Sequence, residues 1–565
     1  MGQTKHIMQK ILQPVILGLG VGVMMAVVAR LFVSGIRYFS DMRQSALELP
    51  VFLAGDMRNV TPLFVLMATA FLIVWLRRVL DIQRFHGPAD SIHAAHRTDN
   101  ELDVKQGLGS TLVAFLAASG GASVGQYGPL VHFGATMGSY FKTMTRSVVT
   151  TDIFIGCGVA GAISAAFNAP LAGIVFALEA VLRHFSLRAV APIAISSITA
   201  AAVGQGFFGL GQVFSISPPS IDMLALLPPV LVSGIAFGLV ATTLIFLLRR
   251  FTDFSANSGL SVLTLTLAAA FICGCVGIFI PEILGLGTQS VSDMLNGAIS
   301  AEKMALLLIA KLLMTAMCLG LGLYGGIVSP CLFIGASAGG ALAIVFAGYG
   351  GAALSQVLMV AGIAAITGPV IGAPIAVVLI ILEFTQSYNM AVLAMIAVVM
   401  AALVCHIFYG ASLFDRQLLD RGIDIHKGRG HLELMETPIA GIVHDDFVAL
   451  PENADAQTAM RKMREVGQTE AYIVTDGQYI GKLGLIDLLD AAPDTAAKTA
   501  LQSDALSIKG DASLMQAIEA ASDFVGESIP VVDRETNRLL GIVSESDLFT
   551  AYLNLQDKVL DIEGK

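Results

Sequence analysis

Long apolar runs recur from Ile11 to about Phe408 and limit what this chain can fold into. Each is close to the ~20 residues that a membrane-spanning helix needs, and four of them cover Pro14–Val33, Thr61–Val79, Pro228–Leu248 and Val262–Ile280. Hydrophobic residues make up 55% of the chain and charged residues 13%, with a mean hydropathy of +0.76. Soluble domains do not have this composition. The sequence therefore predicts an α-helical membrane protein with many spans.

The distribution of charge indicates a second domain. From His431 onwards the chain has 24 acidic and 10 basic residues, whereas the part before His431 has 19 acidic and 23 basic residues. We expect residues 1–430 to form the membrane domain and residues 431–565 a separate, soluble and acidic domain. All six cysteines lie in the membrane part at spacings that do not suit a metal site, so they are predicted to be reduced and buried.

Two stretches of the membrane domain repeat each other. Gly158–Glu179 reads GVAGAISAAFNAPLAGIVFALE and matches Gly362–Glu383, GIAAITGPVIGAPIAVVLIILE, with glycine, Ala-Pro and Glu at the same offsets. Upstream, a Gly-x-x-x-Pro segment in Gly125–Gly134 matches one in Gly326–Gly335, in the same order. Duplicated halves with glycine- and proline-interrupted apolar segments are typical of transporters, whose substrate site lies where the repeats meet.

The interrupted segments predict helices that begin inside the membrane. Proline suits the first turn of a helix, and glycine allows close backbone approach, so helix starts are expected near Pro129, Pro330, Pro170 and Pro374. Residues Leu130–Lys142 are too few to span a bilayer. Free amides at such ends need a polar partner, and the helix dipole favours an anion. We expect the four ends to converge on an anion; the alternative is that these glycines and prolines serve packing and kinks.

Three motifs in this repeat resemble the CLC family of chloride channels and chloride/proton exchangers. GQYGP at Gly125–Pro129 stands at the family's Gly-Arg-Glu-Gly-Pro motif, GGIVSP at Gly325–Pro330 at its Gly-Gly-x-Phe-x-Pro, and FNAPLAG at Phe167–Gly173 at a third signature. The resemblance covers about residues 14–424. It implies a homodimer, one anion pathway per subunit, and two inverted halves at roughly 14–210 and 222–424. It also implies that the amides of Ile327 and Val328 coordinate the anion.

The sequence departs from the family where proton coupling is concerned. Tyr127 stands at the position of the gating glutamate, and Ala180 at that of the inner proton-relay glutamate. A phenol with an unperturbed pKa near ~10 stays neutral at physiological pH and cannot cycle protons. Tyr127 is therefore predicted to be a neutral gate or anion-coordinating residue; the alternative is a fixed aromatic plug.

Two further anion-coordinating positions have changed. The serine of the family's Gly-Ser-Gly-x-Pro loop aligns with His86, and the tyrosine of the last membrane helix with Phe414, so both hydroxyl donors are lost. Ionisation of a histidine near pH ~6.5 would make uptake sensitive to pH without stoichiometric coupling; the alternative is a solvated loop histidine. The predicted anion site comprises His86, Gly87, Tyr127, Gly128, Ile327, Val328 and Phe414.

The remaining intramembrane polar residues are expected to be structural. Glu179 and Glu383 occupy equivalent repeat positions and are predicted to form hydrogen bonds. His132 is expected to be a satisfied interior histidine. Arg183 and Lys311, near helix ends, are predicted to snorkel or to pair.

The acidic tail contains a second internal repeat. Ala471–Ala491 and Ser528–Ala551 each read strand, turn, strand and helix, and resemble a tandem pair of CBS domains at roughly 438–492 and 503–555. In such pairs an aspartate at the position of Asp547, with a hydroxyl at Ser544, holds an adenosine ribose. Asp487 is the equivalent in the first copy, where Gly484 replaces the hydroxyl. The alternative is that both aspartates are helix N-caps without a ligand.

We therefore predict a CLC-like polytopic α-helical membrane protein with a cytoplasmic α/β pair of CBS domains. The predicted function is passive transport of a small inorganic anion, chloride first. The alternatives are an anion/proton exchanger with other proton carriers, a pathway for nitrate or bicarbonate, a divalent-cation transporter, or a transport-inactive nucleotide sensor. No catalytic constellation and no partner nucleic acid are indicated. Lys5 and Lys10 favour a cytoplasmic N-terminus, in the inner membrane of a cell.

Overall fold

The computed structural model divides the chain into two compact units, Met1–Ile423 and Asp424–Lys565. The predicted boundaries at residues 210 and 503 lie outside the residues that it describes. These are residues 2–45, 49–53, 56–97, 99–145, 147, 149–209, 211, 213–214, 216, 222–346, 348–349, 351–489, 491–502 and 505–563.

The first half of the membrane unit contains eight α-helices in its described part, and a hairpin of β1 (Pro50–Leu53) and β2 (Asp56–Asn59) follows the first helix. A π-helical segment, Ala177–Leu182, continues the seventh helix. The helices are α1 (Gly2–Ser45), α2 (Thr61–Val79), α3 (Pro88–His96), α4 (Val104–Gly120), α5 (Tyr127–Met144), α6 (Thr151–Phe167), α7 (Pro170–Phe176) and α8 (Leu187–Phe208).

The second half repeats this order, and one short helix follows it. The helices are α9 (Met223–Asn257), α10 (Val262–Phe279), α11 (Thr288–Leu295), α12 (Ala301–Gly320), α13 (Val328–Val345), α14 (Gly351–Ile371), α15 (Pro374–Thr385), α16 (Tyr388–Tyr409) and α17 (Leu413–Leu419). The packing repeats as well: α1 packs on α8 as α9 packs on α16, and α5 packs on α6 as α13 packs on α14. The duplication that the sequence predicts is therefore visible in the helix arrangement.

Nine helices among the described residues are long and apolar enough to cross a membrane, and three more apolar helices are shorter. The four predicted spans lie within α1, α2, α9 and, but for the last residue, α10; α1 and α9 extend well beyond them, with Pro14 and Pro228 inside the helices. Composition and length thus confirm the prediction of a polytopic helical membrane protein. All six cysteines are free, and only Cys275 is not buried.

Glycines let the core helices approach closely. A Cβ atom at Gly158 of α6 would lie 1.9 Å from the carbonyl oxygen of Gly134 in α5, and one at Gly362 of α14 would lie 2.3 Å from that of Gly335 in α13. Real Cβ atoms do not tolerate such distances, so no larger residue fits at either contact. This explains why the glycines recur at the same offsets in both halves.

Helices α5 and α13 are longer than the sequence pattern predicts. Each has 18 residues and begins two residues before its proline, at Tyr127 and Val328. The proline still lies in the first turn, where its missing N–H removes no intrahelical hydrogen bond. The predicted helix starts near Pro129 and Pro330 are therefore confirmed, and the first of these helices extends beyond residues 130–142 at both ends.

Carboxylates close the amino ends of α7 and α15. Glu383 accepts hydrogen bonds from the amides of the two residues after Pro170, at 2.9 and 3.0 Å. Glu179 accepts from the two residues after Pro374, at 3.0 and 2.8 Å. The predicted hydrogen-bonding role of both glutamates is confirmed. The prediction that all four helix ends converge on one anion is wrong for α7 and α15, because the first amides of these two helices already have a negatively charged partner.

The tail unit contains two copies of a small α/β fold. In the first copy β3 (Val448–Leu450) is parallel to β4 (Glu470–Thr475), which is antiparallel to β5 (Gln478–Gly484); in the second, β6 (Ile508–Lys509), β7 (Ile529–Val532) and β8 (Leu539–Val543) are arranged in the same way. The helices are α18 (Arg429–Glu436), α19 (Ala456–Val466), α20 (Leu485–Leu489), α21 (Leu514–Ala521) and α22 (Glu545–Glu563).

A buried ion pair joins the two copies of the tail fold. The Lys482 ammonium lies 2.6 Å from the Glu470 carboxylate and donates to the backbone carbonyl of Ser528 at 2.8 Å. Glu470 also accepts from the amide and the hydroxyl of Ser528. Burial opposes ionisation of Glu470, but Lys482 and the hydrogen bonds outweigh it, so the pKa of Glu470 lies below its usual value. Hydrogen bonds from both members of this ion pair to Ser528 therefore connect the first copy to the second.

Replacement of Glu383 by alanine should destabilise the membrane unit by about 2 kcal/mol, because two amides of α7 lose a charged acceptor. Thermal unfolding in detergent measures this loss. Glu101→Ala, at an exposed glutamate before α4, serves as the control and should unfold as the unmodified protein does. Equal unfolding temperatures for E383A and E101A would contradict the capping role.

Candidate functional site

The two halves of the membrane unit meet at a pair of glycines. The amide of Gly125 donates to the carbonyl of Gly326 at 2.6 Å, and the amide of Gly326 donates back to Gly125 at 2.7 Å. A Cβ atom at Gly326 would lie 2.8 Å from the amide nitrogen of Gly128 and 3.0 Å from Pro129 Cδ. This antiparallel bridge therefore holds the amino ends of α5 and α13 side by side.

Four amides at these two helix ends have no acceptor among the described residues. They belong to Tyr127, Gly128, Ile327 and Val328, and all four residues are buried. The first amides of a helix have no intrahelical partner, and inside a membrane they need another acceptor. Their dipoles point to a negatively charged one. The arrangement can bind a small anion without a fixed cation.

Helix α3 brings a third amino end to this place. A Cβ atom at Gly128 would lie 3.5 Å from Cγ of Pro88, the first residue of α3. The Gly87 amide, which we predicted to bind the anion, donates instead to the carboxylate of Asp90 at 2.8 Å in a capping interaction. Asp90 in turn contacts Arg84 and Arg421 at 2.7 and 2.8 Å. In this arrangement the Gly87 amide is already occupied.

The Tyr127 ring is packed rather than exposed. It stacks on Phe167 with ring centroids 3.8 Å apart and an interplanar angle of 24°, and 2% of the residue is exposed. The row continues through Phe384, 5.8 Å from Phe167, to Phe214, 5.6 Å further on. Phe167 ends α6 and Phe384 lies in α15, so the ring on which Tyr127 stacks is itself packed against an aromatic ring of the other half.

His86 lies in the loop between α2 and α3, at the same amino end. Its carbonyl accepts a hydrogen bond from the hydroxyl of Tyr324, and its amide donates to Ser110 Oγ at 2.9 Å. Burial lowers the pKa of His86, and the neighbouring Asp90 opposes this effect. His86 is half-buried, and its Nδ1 atom is buried without a hydrogen-bond partner.

His132 does not match the expectation of a satisfied interior histidine. It is fully buried in α5, and its Nδ1 atom lies 2.8 Å from Ser91 Oγ, but its Nε2 atom has no partner. The sequence could not show this, because pairing of the second ring nitrogen depends on how α3 and α4 approach α5. The site predicted from the sequence does not include His132. In the structure its ring lies next to that of His86, and this contact places His132 at the site.

Two other predicted positions lie in buried helices. Phe414 has 4% exposure in α17, which packs on α3 and α14. Ala180 has 1% exposure in the π-helical segment next to Glu179. Arg183 forms an ion pair with Asp415, and Lys311 donates to the carbonyls of Ile283 and Gly285, both at 2.8 Å. The prediction that Arg183 pairs is confirmed.

The tail aspartates do not act as N-caps. Ser544 is the cap of α22: its amide and hydroxyl donate to the Asp547 carboxylate, and the Asp547 amide donates back to Ser544 Oγ. His444 Nε2 lies 3.2 Å from the same carboxylate. Asp487 accepts from the Gly484 amide and from Gln502. Both aspartates therefore lie three residues after the cap, and side chains already contact both carboxylates.

The repeat, the paired glycines and the unpartnered amides define the chain as an inverted-repeat anion-transport protein. The sequence pattern of the voltage-gated chloride channel family matches residues 65–406, and CBS-domain patterns match residues 439–494 and 497–554. The chain belongs to the voltage-gated chloride channel, or CLC, family and carries a tandem CBS pair.

Relatives of this chain include channels and exchangers. A putative chloride channel protein ClcB-like of Ralstonia nicotianae is 29% identical over 59% of this chain and 79% of its own length. The H(+)/Cl(-) exchange transporter ClcA of Vibrio vulnificus is 28% identical over 55% of this chain and 69% of its own length. Family membership therefore establishes anion transport but leaves channel and exchanger as alternatives.

Solved structures show the same fold. A slow cyanobacterial Cl-/H+ antiporter has a TM-score of 0.62 at 20% identity and covers 72% of this chain and 97% of its own. A eukaryotic CLC transporter has a TM-score of 0.61 at 18% identity and covers 96% of this chain and 98% of its own. The second comparison also covers the tail, so each of the two units has a counterpart in a solved structure.

Replacement of Gly326 by alanine should abolish anion flux, because the added methyl group would lie 2.8 Å from the Gly128 amide nitrogen and separate the two helix ends. Chloride efflux from proteoliposomes measures the effect. Gly206→Ala in α8, where a Cβ atom meets nothing within 4 Å, is the matched control and should transport normally. Normal flux through G326A would contradict this location of the site.

Proposed function

We propose that this protein is a passive, proton-uncoupled pathway for small inorganic anions, with chloride as the first candidate. The observation that carries the proposal is Tyr127, a buried residue with a neutral phenol at the amino end of α5, where four amides have no acceptor among the described residues. An ionised carboxylate competes with anions for such donors and leaves the donors free once it is protonated. A phenol, by contrast, stays neutral across the physiological range. Ala180 likewise supplies no titratable group at the second position.

The stacking of Tyr127 supports a fixed ring. A side chain that swings aside must leave its contact with Phe167, at 3.8 Å between centroids, and lose the packing energy of an aromatic pair. In this proposal anions pass beside the ring and bind the amides of Ile327 and Val328 in turn. Weak binding by dipoles, without a cation, favours release.

Two other functions have specific support. The named exchangers among the relatives and the unpaired ring nitrogens of His86 and His132 favour an exchanger with other proton carriers. The tight packing of Tyr127 favours a plugged, transport-inactive sensor. Nitrate and bicarbonate are alternative anions, because backbone amides select for charge rather than for one species.

Chloride efflux from proteoliposomes, with external pH recorded, should show flux without uphill proton movement, because neither glutamate station is present. Tyr127→Ala should raise the flux, since it opens space beside the amides. Tyr127→Glu should make the flux depend on pH. Tyr140→Ala, at an exposed tyrosine of the same helix, is the control. Uphill proton movement driven by chloride would overturn the proposal, and a silent protein that Y127A activates would favour the plug.

We also infer a homodimer in the inner membrane, with the N-terminus and tail in the cytoplasm. The half-buried carboxylates of Glu179 and Glu383 lie at the surface of the described unit, beside the exposed apolar side chains of Leu171 and Ile375. Charged groups facing lipid are costly, so a second copy that covers this surface relieves the cost.

The detergent-solubilised protein should have twice the chain mass of 59.2 kDa by light scattering. Leu171→Arg with Ile375→Arg should reduce the mass to that of a single chain, because two cations then face each other across the contact. Leu231→Arg, at another exposed apolar residue in α9, should leave the dimer intact. A single-chain mass for the unmodified protein would contradict the dimer.

A further inference from the structure

Two histidine rings meet where α3 and α5 approach the anion site. The centroids of His86 and His132 are 5.9 Å apart, and the two rings meet edge to face with an interplanar angle of 65°. Each ring leaves one buried nitrogen without a hydrogen-bond partner in the described part of the chain: Nδ1 of His86 and Nε2 of His132. Buried polar atoms in native proteins almost always have partners. Two unpartnered imidazole nitrogens in adjacent rings therefore indicate a site that takes a ligand.

The surroundings of the pair allow it to change charge. The other nitrogen of His132 already contacts Ser91 Oγ at 2.8 Å, and a Cβ atom at Gly107 of α4 would lie 3.3 Å from Nε2, so the space there is small. No third carboxylate, thiol or imidazole joins the pair to form a metal site among the described residues. A proton is the ligand that fits unpaired imidazole nitrogens in so small a space.

The pair is connected to the anion site on both sides. His86 immediately precedes Gly87, the cap of α3, and Tyr324, three residues before Ile327, holds its carbonyl. His132 lies five residues after Tyr127 in the same helix. A charge gained by the pair therefore acts at short range on an anion bound by the free amides.

We propose that His86 and His132 together bind one proton and that this proton raises anion occupancy of the neighbouring site. The inference rests on the proposed anion pathway and adds its regulation. Two imidazolium rings 5.9 Å apart would repel each other, so the pair takes one charge rather than two.

Other charged groups around the pair do not cancel this charge. Asp90 is a carboxylate that acts on both rings, and it already contacts two guanidinium groups. Asp103, before α4, is a second carboxylate that acts on His86. The groups that face the two rings are Arg84, Asp90, Asp103, Tyr324 and Arg421.

The sign of the pH effect follows from the loop histidine. Burial lowers the pKa of His86, so the ring is neutral at pH 7 and gains its proton only below its usual range near ~6.5. Acidification therefore adds a positive charge beside the anion. At an effective dielectric constant of ~20, a unit charge this near to the anion should change occupancy by roughly tenfold.

Chloride efflux from proteoliposomes at about pH 7.5 and about pH 5 tests the proposal, with chloride binding measured by calorimetry at both values. The unmodified protein should gain roughly tenfold on acidification. His86→Gln and His132→Gln should each remove this gain, whereas His86→Lys should give high flux at both values. His406→Gln, at an exposed histidine of α16, should keep the full gain.

A full acid response in H86Q or in H132Q would overturn the proposal. If H132Q does not fold, His132→Asn, which keeps a polar partner for Ser91, replaces it. Absence of chloride flux in the unmodified protein would contradict the proposed pathway, and calorimetry then decides the inference by itself. Binding that strengthens on acidification and loses this response in H86Q supports the proton site, and binding independent of pH overturns it.

Discussion

Backbone N–H groups inside a bilayer need an acceptor, and this requirement organises the membrane unit. The short and interrupted helices create several amino ends within the protein, and each end is treated in one of two ways. At α7 and α15 a glutamate from the opposite half supplies the acceptor. At α5 and α13 the first amides keep no protein partner among the described residues. The difference between closed and open ends therefore separates scaffold from site.

Neutrality is the second theme of the site. The donors are backbone amides, the residue at the start of α5 carries a phenol, and the carboxylate of Asp90 in α3 contacts Arg84 and Arg421. Such a site attracts an anion through dipoles alone, which gives moderate attraction and easy release. Any charge added nearby changes occupancy strongly, because no fixed cation dominates the local potential.

Much of this architecture could be predicted from the sequence, because repeated glycines, prolines and glutamates have local physical meanings. The spans, the duplication and the hydrogen-bonding role of Glu179 and Glu383 follow from hydropathy and offsets, whereas the CBS pair follows from the resemblance of the tail repeat to known domains. The sequence does not show that each glutamate caps a helix of the opposite half. Sequence offsets show that Glu179 and Glu383 are equivalent, but not which half each carboxylate contacts. The free Nε2 of His132 and the occupied amide of Gly87 likewise depend on the approach of α3 to α5.

The crossed carboxylate caps have a consequence for how the chain is made. Synthesis produces α7 before Glu383 exists, so its first amides wait without their final acceptor until the second half has been inserted. Glu179 waits in the same way for α15. Neither half can complete its own backbone bonding by itself, and the duplicated halves have become mutually dependent. Separation of the two halves into independent polypeptides would therefore leave each with an exposed, unsatisfied helix end in lipid.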